Sequence, residues 1–387
     1  MRRYLIFWVG LIVWQGCVEP FEFSAPEAEE ALVVDAVFTD EQRAHQVKLS
    51  WSGALDATGA TPATGASVWL VEGGGTQIDF TEVESGTYET LATIQGESGK
   101  SYTLFIRLQN GAEYRSATEI LPQPIPIDSV YGRYMEMPST ENDQILTGIQ
   151  FFVDAHNDDA EFSNFRYEYE EDYEIRVPYP SLFDWDEATE SFFSRGTDIS
   201  TCYGRAESIT LTIATTSGQS ENRLAEFPIR MVAPNEGPLN HRYALTVTQF
   251  AISTAAYQYY KRLKENNESA GSFFDRQKGA ISGNIIRLSE SAPMVQGYFE
   301  ASAVSRTRRF FTPYEFLDQG FLAVNPFRAT CFSSIDSIGT AFLNNTSLNG
   351  KNIVRFTFPL MDIAIVVSEY CSDCRVHGKL EKPEFWD

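Results

Sequence analysis

The chain alternates between apolar and polar residues over most of its length. Val47, Leu49 and Trp51 fall on one side of a short run, with Lys48 and Ser50 on the other. Similar runs cover 32–38, 66–71, 87–90, 102–107 and 114–117, with turn signals between them at Gly73-Gly74-Gly75 and Gln109-Asn110-Gly111. Regularly spaced short strands of period two predict a β-sandwich, and their number and spacing predict an immunoglobulin-like one over residues 31–122. It has no intersheet disulfide, because the span holds no cysteine. Pro122, Pro124 and Pro126 then hold the chain extended and mark a boundary.

Residues 127–387 also read mainly as strand. Runs at 149–153, 208–215, 226–232, 243–249, 283–288, 295–302 and 354–358 are expected strands. The longest alternation is 165–177. Phe165, Tyr167, Tyr169, Tyr173, Ile175 and Val177 share one face, and Arg166, Glu168, Glu170, Asp172, Glu174 and Arg176 the other, an acidic stripe. One segment, about 253–266, has helical period: Ala255, Ala256, Tyr259 and Leu263 form an apolar stripe, and Ser253 or Thr254 can cap it. The expected fold is mainly β: the sandwich over 31–122, then a larger β-rich sandwich or barrel-like domain over 127–387 with one prominent helix.

Composition narrows the function classes. The 387 residues carry a formal charge of −23, so nucleic acid and anionic lipid would be repelled. With 43% hydrophobic and 13% aromatic residues, the chain is too apolar for disorder.

The N-terminus reads as an export signal over residues 1–16. Arg2 and Arg3 precede a short apolar stretch, Leu5 to Trp14, which ends at Gly16-Cys17. A small residue before Cys is the site lipoprotein processing needs, so Cys17 is the expected lipidation site and residues 17–30 the tether. Loss of Arg2 and Arg3 with the leader takes the charge from −23 to −25. No other stretch reaches spanning length, so the membrane is expected to hold the chain by its lipid anchor only. The acidic start of the tether, Val18-Glu19-Pro20-Phe21-Glu22, is similar to surface-export signals of Bacteroidetes lipoproteins.

Four cysteines remain, Cys202, Cys331, Cys371 and Cys374, and an even count in an oxidising compartment predicts two disulfides with three possible pairings. Enzymatic signatures are missing: no G-x-S-x-G, no P-loop, no H-E-x-x-H. His45, His156, His241 and His377 are scattered. Asp154, Asn157, Asp158, Asp159 and Glu161 form a weak calcium candidate in a turn, without EF-hand spacing. No other cofactor or metal is expected. The acidic stripe offers paired carboxylates of the kind glycoside hydrolysis uses. Tyr179, Phe183 and Trp185 are candidates for an aromatic binding surface, with core packing as the competing reading.

Several blocks, in order, resemble the domain-of-unknown-function 4249 proteins of Bacteroidetes outer membranes. They begin with the lipoprotein Cys, Leu32-Val33-Val34-Asp35 and Val47-Lys48-Leu49-Ser50. Next come Ile252-Ser253 with Tyr257, Tyr260 and Lys261, then Gly271-Ser272-Phe273-Phe274-Asp275 and Ile281-Ser282-Gly283-Asn284-Ile285. Gly297-Tyr298-Phe299-Glu300-Ala301-Ser302 and the tail Asp373-Cys374-Arg375 to Lys382-Pro383-Glu384-Phe385-Trp386 complete the series. Val376-His377-Gly378 departs from a usual Gly-Gly pair. The resemblance implies an outer-membrane lipoprotein associated with TonB-dependent receptors and assigns no catalytic residue.

The expected function is therefore a surface-exposed, non-enzymatic accessory or binding subunit of a TonB-dependent receptor or another outer-membrane β-barrel. Two alternatives stand beside it: a free-standing adhesin or glycan-binding module, and a hydrolase using acidic residues of 154–187.

Overall fold

The computed structural model describes residues 30–52, 60–138, 145–186, 188–189, 191–268, 281–332, 334–343, 348–357 and 362–386. The leader, Cys17, the tether up to residue 29 and the block Gly271 to Asp275 lie outside the described residues.

The first nine strands are β1 (Ala31–Thr39), β2 (Gln46–Trp51), β3 (Thr61–Pro62), β4 (Ser67–Glu72), β5 (Gln77–Glu84), β6 (Thr87–Glu89), β7 (Ser101–Arg107), β8 (Glu113–Ser116) and β9 (Glu119–Ile120). Two antiparallel ladders, β1-β2-β6-β5 and β5-β4-β7-β8, form a sandwich-like pair of layers. β5 serves both: residues 77–80 pair with β4, and pairing with β6 starts at Thr81. The alternation works as period two requires. Val47 and Leu49 meet Val68, Leu70, Tyr102, Leu104 and Ile106 in one core. Gly111 closes the β7–β8 turn with φ +84°, a conformation that glycine adopts without the Cβ clash other residues suffer.

His45 is buried between Phe38 and the loop after β6. Its Nδ1 accepts from the Thr39 amide at 3.4 Å and its Nε2–H donates to the Ile94 carbonyl at 3.3 Å, so both nitrogens are committed to the neutral ring. Burial, aided by Arg43, pushes its pKa down to about 4. The unfolded ring titrates near its ordinary value of about 6.5. Its contribution is therefore intact above that pH and lost as pH falls toward 4, a cost of about 3 kcal/mol at the lower end. Urea midpoints are expected to fall between pH 7 and pH 5, and to fall less in His45→Gln. An equal fall in both would put the acid sensitivity elsewhere.

The chain continues through β10 (Ile127–Pro138), β11 (Ile145–His156), β12 (Asn164–Arg176), β13 (Phe183–Asp186), β14 (Ser191–Ser194), β15 (Thr201–Glu207), β16 (Thr212–Thr215), β17 (Arg223–Val232) and β18 (Tyr243–Ala251). Helix α1 (Thr254–Glu268), β19 (Ile285–Arg287) and β20 (Met294–Phe311) follow. The β10-β11-β17 sheet packs on β15-β12-β18-β20, with Phe151, Tyr167, Tyr243, Phe311 and Phe316 between them.

β20 is the spine of the molecule. Met294–Ser302 runs parallel to β1, and Ala303–Phe311 runs antiparallel to β18. Its 18 residues span about 60 Å at strand rise. The strand expected over 295–302 therefore continues through the charged run Ser305 to Arg309. Arg306 and Arg308 stay on the outer face, where they donate to Thr248 and Thr246 at 3.1 and 2.8 Å, while Arg309 turns toward β10 and donates to the Val130 carbonyl at 2.7 Å. The ranges 31–122 and 127–387 thus share a sheet and one apolar core, with Leu121 and Ile125 of the proline segment buried in it.

A third sheet combines β13 and β14 with β21 (Asp336–Gly339), β22 (Lys351–Phe356) and β23 (Ile363–Ser368). Two disulfides anchor this region: Cys202 to Cys374, and Cys331 to Cys371, with Cα separations of 5.4 and 5.5 Å. The molecule is mainly β with one prominent helix, and none of these sheets closes into a barrel. The strand expected over 208–215 is formed only at 212–215, and that over 283–288 only at 285–287, since both are short edge pairings. No helix among the described residues is long and apolar enough to cross a membrane.

Candidate functional site

The polar side of β12 builds the most distinctive surface. Across β15, Asp172 faces Arg205 and Glu174 faces Tyr203. Across β18, Glu168 and Glu170 face Thr248 and Thr246, and beyond them stand Arg306 and Arg308 of β20. This face is walled at one end by α1 and at the other by the C-terminal segment 379–386. Lys379 exchanges two backbone hydrogen bonds with Tyr203, at 2.8 and 3.0 Å. Trp386 lies against Tyr203 and Phe310, and the Arg308 guanidinium sits 3.3 Å from the Phe385 ring centre.

The stripe is not the solvated acidic surface that its sequence suggests. Arg166, Asp172 and Glu174 are buried. Glu168 pairs with Arg166, Glu170 with Arg205 at 2.9 Å, and Glu174 with Arg176. Arg166 also makes a two-pronged ion pair with Glu300 of β20, at 3.0 and 2.9 Å, and its guanidinium lies 3.9 Å from the Phe250 ring centre. Burial pushes the Glu300 carboxyl up, but Arg166, with hydrogen bonds from Tyr260 and Ser302, outweighs it and holds the pKa below the ordinary value. The exception in the stripe is Asp172. It is 2% exposed, its Oδ2 has no hydrogen-bond partner among the described residues, and burial pushes its pKa up.

Sequence reasoning passed over Glu171. It is in phase with Tyr169 and Tyr173, so it points between the two sheets. There it accepts from Tyr243 Oη at 2.7 Å and from Arg230 Nε at 3.0 Å. The phase was visible in the sequence. The partners, on β18 and β17, were not.

The calcium candidates do not form a cage. Asp154 spends its oxygens on Ser129, Tyr131 and the Glu226 amide, at 3.0, 3.2 and 2.7 Å. Asn157 Oδ1 accepts from the Asp159 amide at 3.1 Å, an ordinary Asx turn, while Asp158, Asp159 and Glu161 face solvent. Among the described residues, no group of three or more His, Cys, Asp or Glu is placed to hold a metal. Phe183 and Trp185 are half-buried against Leu343, Ile353 and Val366, and Tyr179 packs beside the Cys331–Cys371 bridge. These aromatics build the third sheet's core more than they present a surface.

The histidines that look scattered are partly brought together. His241 and His377 line one cavity of about 230 Å³ beside the end of β12, with Glu174, Arg176, Asn240 and Tyr370 also on its walls. Only the tertiary structure joins them, because they lie on separate turns far apart in sequence.

Fold and site define a class: a multi-sheet β protein with a disulfide-anchored C-terminal sheet and one polar, charge-paired sheet face walled by a helix and the chain's own tail. Within that class the chain belongs to the family described as domain of unknown function DUF4249, whose model matches residues 18–308. The resembling blocks in 373–386 lie beyond that match. None of the curated proteins matches. Among solved structures, a DUF4785-family protein from Legionella pneumophila is 12% identical with a TM-score of 0.18, over 56% of this chain and 51% of that one. A trypsin-activated alpha-2-macroglobulin from Escherichia coli is 11% identical with a TM-score of 0.17, over 60% of this chain and 15% of that one. The chain thus spans about half of the first structure and a small part of the second, and neither superposition carries a functional argument.

Proposed function

We propose that this protein is a lipid-anchored, surface-exposed outer-membrane subunit that binds a β-barrel, of which a TonB-dependent receptor is the expected kind, without catalysing a reaction. The observation that carries this reading is an apolar ribbon after β20. Tyr314, Leu317, Leu322 and Val324 are all exposed there within eleven residues, Tyr314 at 77% and Leu322 at 70%. Clustered exposed apolar side chains mark protein contact surfaces. The charge-paired face supports it from the other side: Glu168, Glu170 and Glu174 each hold a guanidinium, which suits binding better than proton transfer. The acidic export-type segment and Cys17 supply the anchor in this reading.

The test is gentle detergent extraction of the native membrane followed by pull-down. A stoichiometric β-barrel is expected with the unaltered chain and is expected to be lost with Leu322→Glu. Recovery of the chain with no barrel partner overturns the reading. The alternative of a free-standing glycan-binding module draws on one specific observation, the cavity at His241 and His377.

A further inference from the structure

The cavity beside β12 brings charged, amide and aromatic side chains together, and its chemistry is specific. Both acids on its wall are ion-paired, and the one wall guanidinium, Arg176, is taken by Glu174. Glu174 is paired with Arg176, and Glu236 with Arg230. His241 is kept toward the neutral ring by burial and by Arg176. His377 is bound through Nε2 to the Tyr370 carbonyl at 2.6 Å. A phosphate, a sugar acid or a zwitterion would bring charge into this space with no uncompensated partner to receive it, which is costly.

What remains is neutral hydrogen bonding next to aromatic surface. Tyr370 and Phe327 meet His377 edge to face, with ring centres 4.5 and 4.9 Å apart, and form an aromatic corner. Asn325 Oδ1 accepts from the Phe327 amide at 2.9 Å, so the Asn325 NH₂ remains as a donor at the rim. Asn240 Nδ2 donates to the Gly237 carbonyl at 3.1 Å, which orients its Oδ1 as an acceptor nearby. An apolar wall with neutral donors and acceptors around it matches a ring that has C–H faces and equatorial hydroxyls. The volume of about 230 Å³ suits one such ring.

We infer that this cavity binds a single neutral pyranose residue, stacked at Tyr370 and Phe327 and hydrogen-bonded by Asn240, Asn325 and His241. The inference goes beyond the barrel-binding reading and stands whether or not a barrel partner is found.

The experiment is saturation-transfer NMR on the full chain in detergent, with methyl pyranosides of glucose, galactose and mannose as probes. Galacturonic acid and glucose 6-phosphate are the charged comparisons. Transfer to at least one neutral pyranoside is expected. Tyr370→Ala, at a half-exposed wall position, is expected to weaken that binding about 10-fold. Asn325→Asp keeps the Oδ1 that caps Phe327 and exchanges the NH₂ donors for a charged acceptor oxygen; at this exposed rim position it is expected to weaken binding with little change in melting temperature. Leu91→Ala, an exposed position of the N-terminal sandwich that does not line the cavity, is expected to leave it unaltered. Silence from all three neutral sugars, tighter binding of either charged sugar, or binding indifferent to both Tyr370→Ala and Asn325→Asp overturns the assignment.

Discussion

Glu300→Ala is expected to cost about 3–5 kcal/mol of stability, the range for removing one partner of a buried ion pair. Glu300 is fully buried, and Arg166 opposite it is nearly so. Removing the carboxylate leaves the guanidinium against the Phe250 ring with only Glu168 as a charged partner. The loss comes mainly from stranding that cation, not from the attraction between the two ions. The double variant Arg166→Met with Glu300→Leu is therefore expected to recover most of the loss, since apolar residues of similar size need no compensation. Urea denaturation of the two single variants and the double one measures both statements. A double variant as unstable as the sum of the singles would contradict this account. Helix α1 should report locally. Tyr260 donates to Glu300, and Tyr259 stacks on Tyr298 at 4.8 Å, so the helix is held by residues adjoining the pair. Amide exchange along Thr254–Glu268 is expected to accelerate in Glu300→Ala.

The paired substitution Cys202→Ser with Cys374→Ser is expected to have a comparable effect. The bridge closes a sequence separation of 172 residues, against 40 for Cys331 to Cys371. Chain-entropy scaling puts their removal at about 5 and about 4 kcal/mol respectively, with strain and residual structure able to reduce either figure. The two losses differ in place more than in size. Cys374 sits just before the segment that pairs with Tyr203 and carries Phe385 and Trp386 over the β12 face. Without its bridge, trypsin is expected to cut after Lys379 well before the folded sheets are attacked, Lys382 being shielded by Pro383. Cys331→Ser with Cys371→Ser is expected to loosen the third sheet while leaving that segment protected. Equal cleavage patterns for the two variants would show that the tail is held by its aromatic contacts alone.

These sites also show how legibility divides. β2, β4, β7 and β12 were readable because one face of each strand enters a core and the other does not, so the alternation is written directly into the residues. Helix α1 was readable from its own period and its Ser253 cap, whose hydroxyl accepts from the Ala256 amide at 3.1 Å. β18 is buried along its whole length, and it was readable only as an apolar run. β13, β14 and β21, four residues each, carried too little to stand out from loop, and β23, an apolar run as long as β2 and β4, went unread. In the candidate site, the acids of β12 were legible as a row. Their burial was not, because the guanidiniums that make burial tolerable come from β15 and β20 as well as from β12 itself.

By itself, then, the sequence determined a mainly β protein, the places of most long strands and the one helix, the two-disulfide count and the DUF4249 resemblance. Each of these follows from spacing within a short stretch or from residue identity. The tertiary structure decided that Cys202 joins Cys374, that β20 runs through both halves against β1 and then β18, that Glu171 faces inward to Tyr243 and Arg230, and that His241 and His377 share one cavity. Each of these depends on which distant segments become neighbours. That choice is made by the joint packing of whole sheets, and no local period along the chain records it.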